Sequence, residues 1–170
     1  MKIRYFILSA LISQVFVSCS LKGGAEATPQ FGIFAIYTTA GDTLRSNYYG
    51  VLDTIYVGDT VVFKMGASGM YHKLTELQIS LYEKTTAKLV WPEKEELDSV
   101  YASYKTDSVS GKFQMHDTMF QNFHFQLVGL SKTDEQKITF GVLSEASRDY
   151  NSKTAFLIVP VKPKAAVSAE

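Results

Sequence analysis

The sequence is short of several features that restrict what a protein can be. It has one cysteine, one tryptophan and four prolines, and its 17 basic residues balance 17 acidic ones. One cysteine excludes an internal disulfide. Zero net charge provides no excess positive field to bind phosphate backbones, so no nucleic-acid partner is expected. No stretch shows a sustained helical period of apolar residues, although 46% hydrophobic residues is the composition of a globular domain.

Residues with catalytic or metal-binding chemistry form no recognisable pattern. His72, His116 and His124 lie in separate segments without an H-x-H pair, so we expect surface imidazoles and no metal site. The serines lack a G-x-S-x-G elbow, and there is no P-loop, dinucleotide fingerprint or EF-hand loop. The carboxylates of "PEKEEL", residues 92–97, are typical of a solvated charge run. We therefore predict neither catalysis nor a cofactor.

The N-terminus has the parts of a secretory signal. Basic Lys2 and Arg4 precede the apolar stretch "YFILSALISQVFV", which is followed by small Ser18 and then Cys19. The stretch is shorter than the roughly 20 residues that a membrane-spanning helix needs. A buried N-terminal helix or strand would explain the apolar residues, but not the basic start and the abrupt polar change. We therefore predict a signal peptide over residues 1–18.

The residues "FVSC" resemble the end of bacterial lipoprotein signals, in which a small-residue box directly precedes the cysteine that becomes lipidated. The resemblance covers Val17, Ser18 and Cys19 and departs at Phe16, where the family usually has leucine. It implies that Cys19 is acylated and anchors the mature protein, since several acyl chains hold a protein at a membrane stably. Without acylation, the lone cysteine of an exported chain would be a free reactive thiol. Ser20 stands where an aspartate would signal inner-membrane retention, which implies an outer-membrane lipoprotein, facing the periplasm or exposed at the surface.

Composition divides the rest of the chain into three parts. "SLKGGAEATPQ" is small and polar, so residues 19–30 are predicted to be the lipidated cysteine and a flexible tether. "PVKPKAAVSAE" has two prolines followed by small residues and indicates a loose tail over residues 163–170. One folded domain is then expected over residues 31–162.

Inside that domain the apolar period is two, which predicts β-strands. The clearest runs place these alternate residues on one face: Val61, Phe63 and Met65; Leu77, Ile79 and Leu81; Phe123, Phe125 and Leu127; Ile138, Phe140 and Val142. Further runs are "FGIFAIYT", "DSVYASYK", "GKFQMH" and "TAFLIVPV", in which Pro160 indicates an edge or a strand end. We predict an all-β antiparallel sandwich of about seven to nine strands, with a barrel as the alternative. Gly58-Asp59 predicts a two-residue hairpin turn.

Two segments resemble immunoglobulin-like domains. "GDTVVFKM" is similar to their second strand, with Met65 at the first cysteine position, and "DEQKITF" matches a later segment at Asp134, with Phe140 at the second cysteine position. Ile138 replaces the corner tyrosine of that family, and Ile79 stands at about the position of its core tryptophan. The resemblance implies an immunoglobulin-like architecture in which Met65 and Phe140 are buried on facing sheets, where the family has its disulfide.

Three aromatic residues stand in or near polar, loop-like stretches: Tyr48, Tyr49 and Trp91. Such side chains stack on sugars or anchor protein interfaces, so they are the candidate ligand or partner contacts; the alternative is that they cap the ends of the sandwich. Together these features predict a non-catalytic, lipid-anchored envelope protein that binds a protein or glycan partner. The alternative is a polysaccharide-acting hydrolase with a dispersed, loop-built site on a jelly-roll-like sheet.

The lipoprotein resemblance predicts the outcome of replacing Cys19 with alanine. Because the thiol is the acylated atom, Cys19→Ala should block maturation at this site and abolish incorporation of labelled palmitate. Autoradiography of the immunoprecipitated protein measures the incorporation. Label remaining on Cys19→Ala would contradict the assignment.

Overall fold

The computed structural model describes residues 26–48 and 50–164. The predictions on the signal peptide, Cys19 and Tyr49 lie outside these residues, as do residues 165–170 of the predicted tail. Across the described ranges, no helix has both the length and the apolar character to cross a membrane.

Strands account for most of the described chain, with one short helix among them. In chain order the elements are β1 (Gln30–Thr38), β2 (Ile55–Tyr56), β3 (Thr60–Ser68), β4 (Leu74–Leu81), β5 (Ala87–Val90), α1 (Lys94–Val100), β6 (Tyr101–Thr106), β7 (Ser110–Thr118), β8 (Phe120–Gly129), β9 (Thr133–Ser144) and β10 (Ser152–Lys162).

The strands form two sheets that pack face to face. One sheet has the order β1-β3-β8-β5, and the other has the order β2-β10-β9-β4-β7-β6. All pairs are antiparallel except β2 with β10. Strands β1-β3-β8-β5 match the A-B-E-D sheet of an immunoglobulin-like domain, and β10-β9-β4 match its G-F-C strands. The predicted all-β, immunoglobulin-like sandwich is confirmed, although β5 precedes the β6–β7 pair in the chain, whereas immunoglobulin variable domains place C′ and C″ before D.

The core lies between the sheets and is built from the alternation seen in the sequence. Every residue of the four predicted apolar runs in β3, β4, β8 and β9 is buried. The rings of Phe63 and Phe125 stack in parallel with centroids 4.8 Å apart within the four-stranded sheet. Phe125 also contacts Phe140 of the opposite sheet at 6.2 Å between centroids. Burial of each large apolar side chain contributes about 1.5–3 kcal/mol, so this alternation selects the inward face of each strand.

Met65 and Phe140 occupy the positions where the immunoglobulin family has its disulfide. Both are 2% exposed, and they lie on β3 and β9 of opposite sheets, as predicted. Ile79, at the expected tryptophan position, is directly paired with Phe140 across β4 and β9 and is 1% exposed. Apolar packing therefore joins the sheets where a covalent bond does so in that family.

The turn at Gly58-Asp59 differs from its prediction. The Asp59 amide donates to the Tyr56 carbonyl at 2.9 Å, and Gly58 has φ 89°, so the turn itself forms with glycine in the left-handed region that favours it. However, β2 pairs with β10 and β3 pairs with β1 and β8, so the turn carries the chain from one sheet to the other. The hairpin prediction was wrong because turn chemistry specifies a local reversal and does not select the sheet that the next strand joins.

Two short strands and the helix were missed by the sequence prediction. Strand β2 has two residues and β5 has four, too few to show a period, and they raise the strand count of the described chain to ten. Helix α1 begins within "PEKEEL" and extends to Val100, and Glu95 and Glu96 in its first turn interact favourably with the helix dipole. Leu97 is its only buried residue, so the carboxylates are solvated as expected although they lie on a helix.

Pro160 falls at an irregularity of the last strand, as its chemistry requires. The register of β10 against β9 shifts between Val159 and Val161, where a step of two residues in β10 faces a step of three in β9, so the extra residue is in β9 and Pro160 lies opposite it. Proline cannot donate a ladder hydrogen bond, which suits it to an irregular point of the pairing near a strand end.

The burial of Met65 between the two sheets predicts the cost of truncating it. Met65→Ala should lower the free energy of unfolding by about 2–5 kcal/mol, because it removes buried contacts and leaves a cavity. Met119→Ala is the matched control, since Met119 is 54% exposed and should change stability by less than about 0.5 kcal/mol. Urea denaturation measures both. Equal effects of the two variants would contradict this account of the core.

Candidate functional site

The outer face of the four-stranded sheet carries a candidate site in which aromatic and polar side chains lie together. Because Phe63 and Met65 point into the core, the alternate residues of β3 point outward, and the same holds for β8. A groove of about 330 Å³ runs along this face. We call it the face groove; its residues are Phe34, Lys64, Met65, Glu96, Asn122, Phe123 and His124.

Strand register brings the polar residues of the face groove together. Lys64 of β3 lies directly opposite His124 of β8. His124 Nδ1 lies 3.4 Å from Glu96 Oε1, so helix α1 supplies one wall of the groove. Lys64 Nζ lies 5.5 Å from the ring centroid of Tyr37 on β1, a cation–π distance that keeps the ammonium on this face. The groove thus combines an ammonium, an imidazole, a carboxylate and the amide of Asn122.

The aromatic part of the site comes from an irregularity in β1. The register of β1 against β3 shifts between Ile33 and Ala35, so Phe34 occupies a bulge and its side chain is 60% exposed. A Cβ atom on Gly66 would lie 2.7 Å from Phe34 Cζ and 3.1 Å from Phe120 Cζ. The two rings therefore meet over the glycine, and any side chain at position 66 would displace them.

Trp91, one of the predicted contacts, is packed in the sandwich. Its ring makes an edge contact with Phe113 at 5.2 Å and a tilted contact with Phe125 at 5.8 Å between centroids. Its Nε1 donates to the Asp107 carbonyl at 2.7 Å, and Gly111 leaves room for the ring because a Cβ there would lie 2.6 Å from Trp91 Cη2. Trp91 is partly buried against the core. The ring therefore packs in the sandwich, and a ligand or partner contact by Trp91 stays a prediction.

The two predicted tyrosines lie in the segment between β1 and β2. Tyr48 is 97% exposed, in a loop closed by a bridge between Ser46 and Leu52. Tyr49 lies outside the described residues. A ligand role for Tyr48 stays a prediction. The aromatic residues of the face groove escaped the sequence analysis because Phe34 sits in a run that reads as a regular strand, and only a bulge turns it outward.

The histidines do not converge on a metal site. His72 Nε2 lies 3.5 Å from Glu26 Oε2, and His124 approaches Glu96, but among residues 26–48 and 50–164 no three His, Cys, Asp or Glu side chains are placed to hold a metal ion. His116 is exposed on β7.

A second groove, of about 380 Å³, opens beside the start of β4 and the end of β7. Lys73 Nζ lies 2.7 Å from Asp117 Oδ1 on its wall, and the Glu145 amide donates to the Lys73 carbonyl at 2.9 Å. The hydrogen bond that Lys73 donates to Asp117 raises the pKa of Lys73. A lysine held in its charged form by a carboxylate is a poor general base, so this groove lacks a poised proton acceptor at Lys73.

Glu76 is the centre of a polar cluster on the outer face of the six-stranded sheet. Lys112 Nζ lies 2.8 Å from Glu76 Oε2, Gln114 donates to the same oxygen at 2.6 Å, and Gln78 donates to Oε1. Burial raises the pKa of Glu76, but the hydrogen bonds from Lys112, Gln78 and Gln114 together outweigh it and lower the pKa below 4.5. A general acid at neutral pH needs the opposite shift.

The lowered pKa of Glu76 predicts a pH-dependent contribution to stability. Glu76→Gln should lower the free energy of unfolding by about 1 kcal/mol at neutral pH, because it removes the ion pair and a charged acceptor. The ionised carboxylate stabilises the fold above the ordinary pKa of 4.5, and this contribution is lost as the pH falls through the lower pKa of the folded state. The difference from wild type should therefore vanish in acid.

Urea unfolding of both proteins between neutral pH and about pH 3 measures this difference. Glu135→Gln, at an exposed position of β9, is the matched control and should change stability little at neutral pH. A Glu76→Gln difference that persists unchanged in acid would contradict the assignment.

Comparison with known proteins gives structural likenesses of low similarity. No family model and no curated protein matches the sequence. The chain is similar to a DUF4466 family protein from Parabacteroides merdae, with 10% identity and a TM-score of 0.48, over 78% of this chain and 44% of that one. It is also similar to native alpha-2-macroglobulin from Escherichia coli, spanning domain MG7 to the C-terminus, with 11% identity and a TM-score of 0.48, over 80% of this chain and 24% of that one. The Reelin-N domain of F-spondin matches with 10% identity and a TM-score of 0.41, over 87% and 97% of the two chains. This chain spans less than half of the first two proteins, and likenesses at this level carry no functional inference.

Proposed function

We propose that this protein is a lipid-anchored, non-catalytic module of the bacterial cell envelope that binds a glycan in the face groove. The observation that carries the proposal is the placement of an exposed ring, Phe34, beside the hydrogen-bonding side chains of Lys64, Asn122 and His124. The anchor is Cys19, supported by the small-residue box before it and by its being the single cysteine of the chain.

The chemistry of the groove suits a sugar. A sugar ring offers an apolar C–H face and a rim of hydroxyls, which match an aromatic ring beside groups that donate and accept hydrogen bonds. Lys64 donates, Glu96 accepts, and the Asn122 amide does both. The volume of about 330 Å³ falls in the range of small-ligand pockets, roughly 300–1,000 Å³. A protein partner is the other occupant that the sequence analysis allowed, and the experiment below separates the two.

The arrangement of carboxylates favours binding over hydrolysis. A glycosidase uses two carboxyl groups on either side of the bond it cleaves, one of them with a raised pKa. The face groove has one carboxylate on its described wall, Glu96, and it lies beside His124. The second groove has two carboxylates, Asp117 and Glu145, of which Asp117 is paired with Lys73. Outside both grooves, the hydrogen bonds from Lys94 and Tyr104 lower the pKa of Asp98.

The glycan proposal predicts a loss of binding when the polar row of the face groove is removed. The full-length lipidated protein, purified in detergent, is immobilised and exposed to an envelope extract that contains both polysaccharide and protein. Asn122→Ala combined with His124→Ala should weaken retention by roughly tenfold or more, since two hydrogen-bonding groups are removed. Lys153→Ala combined with Thr154→Ala, on exposed positions of β10 in the other sheet, is the matched control and should bind as wild type does.

The possible results separate the candidate functions. Equal retention by the groove variant and the control overturns the face groove as the site. A retained partner that protease destroys and glycosidase leaves intact is a protein, and the glycan assignment is then wrong. Release of soluble reducing ends from the polysaccharide by the wild type would identify a hydrolase.

A further inference from the structure

The chain enters the sandwich at one end, which we call the loop end. Here β1 and β8 begin and β3 finishes, since Gln30 and Phe120 both pair with Ser68. Glu26, the first described residue, is held at this end: its Oε2 lies 3.5 Å from His72 Nε2 and accepts a hydrogen bond from the Ser147 amide at 3.2 Å. These contacts fix the entry of the chain between the β3–β4 and β9–β10 loops.

The distance from Glu26 to the anchor is limited by the length of the chain between them. Cys19 precedes Glu26 by seven residues. A fully extended chain spans at most about 3.6 Å per residue, so the two residues are within about 25 Å of each other. This step rests on the proposed lipidation of Cys19. With that anchor, the loop end is the part of the domain held at the membrane surface.

The loop end also exposes large apolar side chains. We call them the apolar rim: Ile33 (45% exposed), Met70 (46%), Tyr71 (64%), Met119 (54%) and Phe120 (51%), which borders Phe34 of the face groove. The Gly69 amide donates to the Met119 carbonyl at 2.9 Å, which places the β3–β4 loop against the β7–β8 turn. Phe34 and Phe120 meet over Gly66 on the adjoining face. The members are therefore contiguous, and a contiguous exposed apolar surface marks an interaction site.

Met70 is placed where the fold alone favours glycine. The turn is closed by the His72 amide, which donates to the Gly69 carbonyl at 3.0 Å, and Met70 has φ 59° at its second position. Glycine adopts this left-handed conformation freely, whereas other residues adopt it at a cost. With its side chain 46% exposed, Met70 gains little burial in return. A methionine at this position is consistent with a contact made outside the fold.

We propose that the apolar rim inserts into the interfacial region of the membrane that holds Cys19. Tyrosine, phenylalanine and methionine suit this region, because they bury apolar area while the tyrosine hydroxyl stays hydrated. Because the anchor holds the domain at the membrane, the apolar rim meets the lipid at a high effective concentration. A weak apolar contact can then persist. Lys73, the cation next to Met70 and Tyr71 in this loop, is paired with Asp117. The side chains of the apolar rim carry no charge, so their insertion should not depend on anionic lipid or on salt.

A spin-label experiment on the full-length lipidated protein tests the insertion. Acylation blocks Cys19, the single cysteine, so an introduced cysteine takes the label alone. Tyr71→Cys and Met119→Cys probe the rim, and Tyr82→Cys, 76% exposed at the far end of β4, is the matched control. In phosphatidylcholine vesicles the rim labels should become accessible to oxygen and lose collisions with an aqueous nickel chelate. The control label should stay accessible to nickel. Adding phosphatidylglycerol or salt should change neither result.

Every other result of the labelling experiment contradicts a specific part of the inference. Labelling of the wild type at Cys19 shows that the cysteine is free, which overturns the anchor and the inference with it. Another result is a protein with a blocked Cys19 and rim labels that the nickel chelate reaches as easily as it reaches the Tyr82→Cys label. That result overturns the insertion and leaves the anchor standing. Spin–spin broadening that grows with protein density shows a second copy covering the rim. Rim labels shielded from both oxygen and the nickel chelate, without spin–spin broadening, show that another protein or a glycan covers the rim. Coverage by a second copy, by another protein or by a glycan each overturns the insertion.

Met70→Gly separates membrane contact from folding. Glycine fits the left-handed position better, so the melting temperature should be unchanged or higher. The same variant removes an apolar side chain from the rim, so a label at Met119→Cys should regain part of its nickel accessibility. A Met70→Gly protein whose Met119→Cys label stays as deep as before would contradict a role for Met70 in the contact.

Discussion

The apolar contact between the two sheets is the constraint on which the rest of the molecule depends. The chain has one cysteine, so no internal disulfide can join the sheets, and Met65 and Phe140 take the positions where the related architecture has one. Phe125 bridges the layers by contacting Phe140 across them. This part of the core therefore relies on close packing, in which each buried side chain is needed and a cavity is costly.

The need to fill the space between the two sheets also explains the position of Trp91. The third strand of the sandwich, β4, carries Ile79 at the expected tryptophan position, which leaves volume that a larger ring can fill. Trp91 reaches the core from the segment between β5 and α1 and packs on Phe113 and Phe125, with Gly111 leaving space for it. The single tryptophan serves the core, and the exposed aromatic surface is built from phenylalanine and tyrosine side chains instead.

The two proposed surfaces follow from how the strands end and where β1 bulges. The bulge at Phe34 turns one ring outward at the border between the face groove and the loop end. Along β8, His124 and Asn122 continue from that ring into the polar groove, whereas Phe120 and Met119 continue toward the loops. A domain anchored through Cys19 would hold the loop end against the lipid and present the face groove beside the membrane, within reach of envelope polysaccharide.

The sequence by itself determined the inward face of the main strands, since a period of two in β3, β4, β8 and β9 leaves one register that buries every large apolar residue. It also indicated the immunoglobulin-like placement of Met65 and Phe140, both buried and on opposite sheets. It did not determine that the turn at Gly58 changes sheets, because a turn is local and sheet membership depends on distant strands. Nor did it reveal the candidate site: Phe34, Lys64, His124 and Glu96 come from β1, β3, β8 and α1, and only the bulge and the strand register bring them together. Tertiary structure decided those positions, because each depends on contacts between residues far apart in the chain.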